Sequence, residues 1–453
     1  MKQRFKHISL RLQRRFGQWP MVFVVASVVG LLTGGCAALL KWSVACLSRW
    51  VTGGFRVDGD NWLLMILPVI GLTISVALCQ LVFRKNISHG VRKLKQRLSR
   101  HDAFIPPQGI YAPFIASTAT LGFGGSAGSE GPIACIGAAI ASNLGRWSRM
   151  RPSMMILLVG CGAGAGIAGI FKAPLGGALF TLEVLGIGLT ATGMLAVVTS
   201  SLIAGLTAYL LGGNVVDMAF DSSLQVFRLS HVGWALMLGV VCGLFSLYYS
   251  YFMKKVEHWL DRVSNPWVKA LLAGGLLGGL LFLFPSLYGE GYDTIGRIIN
   301  GRPETLLNDS LFFGGSLGVL LAVAVLTALM KCFATSLTNN GGGVSGDFAP
   351  TLFAGSVVGL SFVLIANSLF GASLPVGLFA YLGLAGVMAG AIRAPLMAIF
   401  LVCEMTGAYT LLLPLALVAA VSFAVVRLFT FDDYYDKRLD RPNGLAASRL
   451  TQK

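Results

Sequence analysis

A sixteen-residue pattern that occurs twice constrains this chain more than any other feature. Residues 169–184 read GIFKAPLGGALFTLEV, and residues 390–405 read GAIRAPLMAIFLVCEM. Gly169, Ala173, Pro174, Leu175 and Glu183 meet Gly390, Ala394, Pro395, Leu396 and Glu404 without a gap, at a constant offset of 221. A second pair lies upstream, where GSEGP at 128–132 faces GDFAP at 346–350 at an offset of 218. Each half therefore runs from a Gly-rich loop through a broken helix to Ala-Pro-Leu and a Glu. Halves interrupted by Gly and Pro at matching places put a transport site between the repeats.

The solvent for these halves is lipid. Of 453 residues, 55% are apolar and 12% charged, too little polar surface for a soluble globule. Apolar runs such as 21–40, 62–83, 154–185, 194–211, 232–252, 271–284, 311–330 and 411–428 approach or exceed the length needed to span a bilayer. The 57 glycines suit closely packed and broken membrane helices. The net charge of +16 is concentrated in short segments. Lys2, Arg4, Lys6, Arg11, Arg14 and Arg15 precede the first acid, Asp58, and the segment 84–100 carries seven Lys and Arg. By the positive-inside rule these segments and the basic stretch 427–453 are cytoplasmic, so both termini are expected inside the cell. The charge then follows from topology and anionic lipid, and no soluble basic domain offers a face to nucleic acid. The eight cysteines lie in apolar segments without a C-x-x-C pair and are expected to be free.

The expected divisions are a basic N-terminal segment (1–19), a first membrane repeat (20–211), a polar non-cytoplasmic loop (212–230), a second membrane repeat (231–440) and a short cytoplasmic tail (441–453). Within the first repeat, residues 122–139 read GFGGSAGSEGPIACIGAA, with Glu130 as the lone carboxylate. A charge at bilayer depth costs roughly 2.5 to 3.5 kcal/mol on insertion scales, which makes Glu130 a functional-site candidate. Pro132 suits the first turn of a helix. A helix that starts within the membrane aims its free N–H groups and positive dipole end at an anion.

These motifs resemble those of the CLC family of chloride channels and proton-coupled chloride transporters. GSEGP is similar to the family's G-x-E-G-P gate motif and GDFAP to its G-x-F-x-P motif, while APLGGALFTLEV and VCEMTG resemble the helices that follow. The resemblance spans about residues 20–440. It implies an all-α polytopic fold of two inverted-topology repeats with broken and re-entrant helices, working as a homodimer in the bacterial inner membrane. It also implies chloride as the transported ligand, with no cofactor and no enzymatic activity. Glu130 would be the gating glutamate, and Gly131, Asp347 and Phe348 would supply backbone N–H groups to the anion. Tyr435 falls where the family has an anion-facing tyrosine, with Tyr434 as the alternative. The family's G-S-G-I-P serine falls in SHGVR, where alignment on Gly90 selects His89 and a one-residue shift selects Ser88. The family's proton-handling glutamate corresponds to Val184. That substitution leans toward a voltage- or pH-gated chloride channel; chloride/proton antiport by another proton route is the alternative.

Plainer roles stand beside these. Glu183 and Glu404 are expected to bond neighbouring backbone. Lys172 and Arg393 either attract anions at a vestibule or snorkel to the interface. Asp347 is expected as a helix N-cap. A reading from another class rests on GVSG at 343–346, a short pattern of intramembrane serine proteases. Such an enzyme needs a histidine base near Ser345, and no histidine follows Ser345 in the chain.

Overall fold

Glycine and proline set where each apolar stretch of this chain begins and ends as a helix. The computed structural model describes residues 19–53, 62–84, 90–100, 102–188, 190–213, 218, 220, 226–307 and 316–430. In the first half the helices are α1 (Trp19–Thr52), α2 (Trp62–Ala77), α3 (Gly90–Ser99), α4 (Gln108–Gly122), α5 (Glu130–Trp147), α6 (Pro152–Phe171), α7 (Pro174–Leu179) and α8 (Ala191–Gly212). The second half has α9 (Val232–Leu260), α10 (Pro266–Leu283), α11 (Tyr292–Ile299), α12 (Leu317–Asn340), α13 (Phe348–Phe370), α14 (Val376–Ile392), α15 (Pro395–Thr406) and α16 (Leu412–Phe429). Among the described residues nine helical segments are long and apolar enough to cross a membrane, and no strand is present. None of the eight cysteines forms a disulfide among the described residues.

Pro152, Pro174, Pro266 and Pro395 open their helices, where a missing N–H is harmless. Lys172 and Arg393 close α6 and α14 in the left-handed region, at φ 54° and 62°. There the chain turns sharply into Ala-Pro, so the repeated Lys/Arg-Ala-Pro-Leu pattern is a helix stop followed at once by a helix start.

The centre of the molecule is built from close contacts between backbones. A Cβ on Gly137 of α5 would meet the carbonyl oxygen of Gly162 on α6, and one on Gly162 would meet that of Gly137. Gly355 of α13 and Gly383 of α14 oppose each other in the same reciprocal way. These pairs bring α5 onto α6 and α13 onto α14 more closely than any larger residue permits. Both α6 and α13 are almost wholly buried, whereas α2 and α10 are largely exposed.

The repeats run in opposite senses. α5 and α13 begin side by side, with the Gly131 and Gly346 backbones in contact. From there α5 runs to the face of the basic segment, where the Arg146 guanidinium lies 4.4 Å from the Phe104 ring centroid. α13 runs the other way, to Phe370, whose ring lies 5.8 Å from that of Trp234 at the start of α9. The reciprocity returns at the short helices. Glu404 accepts from the N–H groups of Leu175 (3.0 Å) and Gly176 (2.8 Å), while Glu183 accepts from Leu396 (3.2 Å) and Met397 (2.7 Å). Each repeat's terminal Glu thus caps the opposite repeat's Ala-Pro-Leu helix, the backbone-bonding role expected of both.

Candidate functional site

Two Gly-rich loops meet where α5 and α13 begin. Gly128 N–H donates to the Gly346 carbonyl at 2.9 Å, and Gly346 N–H donates to that of Gly128 at 2.7 Å. This antiparallel bridge is the only isolated bridge among the described residues, and it fastens the two helix starts together. α5 begins at Glu130 itself, two residues ahead of Pro132. The Glu130 side chain is buried at 1% exposure and crosses to the other repeat, where Oε1 accepts from the N–H of Ala349 at 2.5 Å. Ala349 lies in the first turn of α13, so the carboxylate occupies the positive end of a helix dipole. Tyr292 Oη lies 3.5 Å from the same oxygen. Oε2, also buried, has no hydrogen-bond partner among the described residues. It can take up a proton without giving up a hydrogen bond.

Below the carboxylate, a cavity of about 350 Å³ opens beside the basic segment. Gly131, Asp347 and Phe348 line it together, with Gly90, Val184 and Arg393 among its other walls. Ser88, His89 and Tyr435, with Tyr434, lie outside the described residues. Arg393 and Lys172, equivalent in sequence, part company here. Arg393 lines the cavity, whereas Lys172 donates to the Gly213 carbonyl at 3.0 Å.

Asp347 sits at the N-cap position of α13, yet its side chain does not cap. Asn339, at the end of α12, captures the carboxylate through its Nδ2, and Ser345 in turn donates to Asn339 Oδ1. The expected N-cap role is therefore replaced by a side-chain chain of three residues. All three residues line the cavity.

Three site residues gave no motif signal. Glu290 Oε1 accepts from Ser129 N–H (2.8 Å) and Ser129 Oγ (2.7 Å), one residue before Glu130. Lys331 is fully buried within α12; its ammonium donates to Ser126 Oγ at 2.9 Å and to the Gly289 carbonyl at 3.4 Å, and it lies 4.7 Å from the Phe353 ring centroid. Tyr292 completes the set. The signal available for Lys331 was a charge inside an otherwise apolar helix.

Comparison with known proteins places this geometry. The sequence profile described as "Voltage gated chloride channel" matches residues 70–427. The chain belongs to that family. The voltage-gated ClC-type chloride channel ClcB of Citrobacter koseri is 30% identical over 330 residues, 71% of this chain and 73% of its own length. The H(+)/Cl(-) exchange transporter ClcA of Klebsiella pneumoniae is 28% identical over 411 residues, covering 87% and 83%. Among solved structures, a slow cyanobacterial Cl-/H+ antiporter superposes with a TM-score of 0.79 at 23% identity, over 93% of this chain and 97% of its own. It shares the CLC fold. Members of this family are transporters or channels and not enzymes. The protease alternative falls with that, and the Ser345 hydroxyl donates to an amide oxygen, which is no general base.

Proposed function

We propose that this chain carries chloride across the bilayer in exchange for protons, along a path held shut by Glu130. One observation carries the reading: a buried carboxylate occupies the helix N-terminus directly above a cavity lined by Gly131 and Phe348. A carboxylate so placed fills the seat of an anion. Chloride arriving from the cavity meets the N-terminal turns of α5 and α13, each contributing about 0.3 to 1 kcal/mol when exposed and up to ~2 when partly buried. Protonation of Glu130 removes its charge, releases the seat and couples the proton to the anion. The exchange relationship described for ClcA supports this choice.

A channel is the second reading, favoured by Val184 in the cavity wall and by the description of ClcB. In either case the reading takes Ser88 or His89, and Tyr435 or Tyr434, as side-chain ligands of the anion, with Gly131, Asp347 and Phe348 contributing backbone N–H groups. The reading calls for no cofactor. It takes the halves as 20–211 and 231–440, with the basic segments and both termini on the cytoplasmic side of the inner membrane. A homodimer fits the short helices α7 and α15, whose Leu175 and Leu396 are exposed above the half-buried Glu404 and Glu183. A second copy would shield those carboxylates from lipid.

The test is flux from proteoliposomes. A chloride gradient should drive protons uphill with the voltage clamped by valinomycin and K⁺, and Glu130→Gln should abolish proton movement while leaving pH-independent chloride flux. Wild-type chloride flux with no proton movement would sink the exchange reading. An unchanged Glu130→Gln variant would remove Glu130 from the gate.

A further inference from the structure

An exchanger needs a second protonatable group between Glu130 and the basic-segment face, and Val184 cannot be that group. Glu183, its neighbour, has both carboxylate oxygens committed to the N–H groups of Leu396 and Met397. Protonating it would break a helix cap. Asp347 is differently placed. One of its oxygens accepts from Asn339, and the other forms no hydrogen bond among the described residues. Its backbone is two residues from the Ala349 N–H that holds Glu130.

A second cavity of about 100 Å³ adjoins the larger one at Asp347. Its walls include Asn339, Asn340 and Tyr249 at the inner end and Arg92, Lys254 and Glu257 toward the basic segment. Arg92, Asn339, Asp347, Ile392 and Arg393 border both this cavity and the larger one. Glu257 is ion-paired with Arg92 at 2.9 Å. Tyr249 Oη and Asn340 Oδ1, at 3% and 8% residue exposure, have no hydrogen-bond partner among the described residues. Buried polar atoms of this kind are normally satisfied by protein or water, and the space admits several waters. The larger cavity, by contrast, reaches the helix starts at Gly131 and Phe348. The two cavities adjoin at Asp347, and the smaller one alone is lined by Tyr249, Asn340, Lys254 and Glu257.

We propose that Asp347, reached from Glu257 through the smaller cavity, is the inner proton-carrying group of this transporter. Asp347 takes one proton from water in that cavity, passes it toward Glu130 Oε2 and returns to the carboxylate, so each cycle leaves the residue unchanged. Arg92, Lys254 and Arg393 are the cations that face this route, and Glu257 offsets them where protons enter. The assignment rests on the exchange reading above.

The experiment measures protons moved per chloride in vesicles of reconstituted full-length protein under a chloride gradient at clamped voltage. Asp347→Asn should lower that ratio about tenfold or more, the scale of losing a positioned proton-transfer group. Asp347→Glu, which keeps a carboxylate, should retain part of it. Glu257→Gln, which does not line the larger cavity but releases Arg92 there, should slow proton movement about two- to fivefold relative to chloride as the local potential that draws protons weakens. A wild-type ratio in Asp347→Asn, or in Glu257→Gln where Asp347→Asn does not fold, overturns the assignment. Wild-type vesicles that move chloride and no protons overturn the exchange reading and this assignment with it.

Discussion

Removing one of the two exchanged caps tests how strongly the repeats hold each other. In Glu404→Ala the N–H groups of Leu175 and Gly176 lose their acceptors at the start of α7, a helix only six residues long. A hydrogen bond to a charged acceptor contributes about 1.5 to 3 kcal/mol, and a typical neutral one about 0.5 to 1.5. Leu175 is 39% exposed, so its bond belongs at the low end, whereas Gly176 is buried. The expected loss is about 3 to 4.5 kcal/mol, and smaller in Glu404→Gln, which keeps one oxygen acceptor. Purified protein melted in detergent and followed by tryptophan fluorescence should show a midpoint lowered by roughly 5 °C for the Ala variant. Glu183→Ala should behave alike through Leu396 and Met397. Because both caps steady the same pair of helices, the double variant should lose less than the sum, by about 0.5 kcal/mol or more. A midpoint identical to wild type in Glu404→Ala, or equal losses in the Ala and Gln variants, would refute the capping argument.

Other substitutions probe the site itself. Gly128→Ala places a methyl group against the Glu130 carboxylate, so the side chain must leave its seat; passive chloride flux should rise, and an unchanged rate would mean that the carboxylate does not close the path. Lys331→Met keeps the length of the side chain and removes a buried cation near Glu130 and Glu290; losing about 1 kcal/mol of anion stabilisation lowers chloride occupancy about fivefold in calorimetric titration, and Lys331→Arg should largely preserve it. For the ligand before Gly90, His89→Ala should alter the chloride-to-nitrate preference while Ser88→Ala leaves it nearly intact. The opposite ranking in mixed-anion reversal potentials would shift the register by one residue.

Much of the fold could be read from the sequence because it is recorded locally. The membrane class follows from composition, the helix breaks from Gly and Pro, and the two halves from motifs that align without gaps. Glu130 could be found because a carboxylate in a Gly-rich loop at bilayer depth needs a reason. Glu290 could not: it meets Ser129 across 161 residues of chain, and no local pattern encodes that contact. Asp347 shows the limit differently. Its position predicts a cap, but Asn339 eight residues earlier competes for the carboxylate and wins, a contest settled by where α12 ends. Lys172 and Arg393 are equals in sequence and in backbone conformation, yet only Arg393 faces the cavity. The repeat copies backbone geometry and leaves surroundings to diverge.

The paired bonds between Gly128 and Gly346 have a consequence for how such a site can be assembled. Each half brings one donor and one acceptor, so a single half can form neither bond of the pair. The same holds for the caps exchanged between Glu183 and Glu404. A chain of half this length could build the site only as two molecules inserted in opposite orientations. Joining them fixes the stoichiometry at one of each, and then only one half needs a carboxylate at the third position of its loop, Glu130 of GSEGP, leaving the other free to carry Phe348 there in GDFAP.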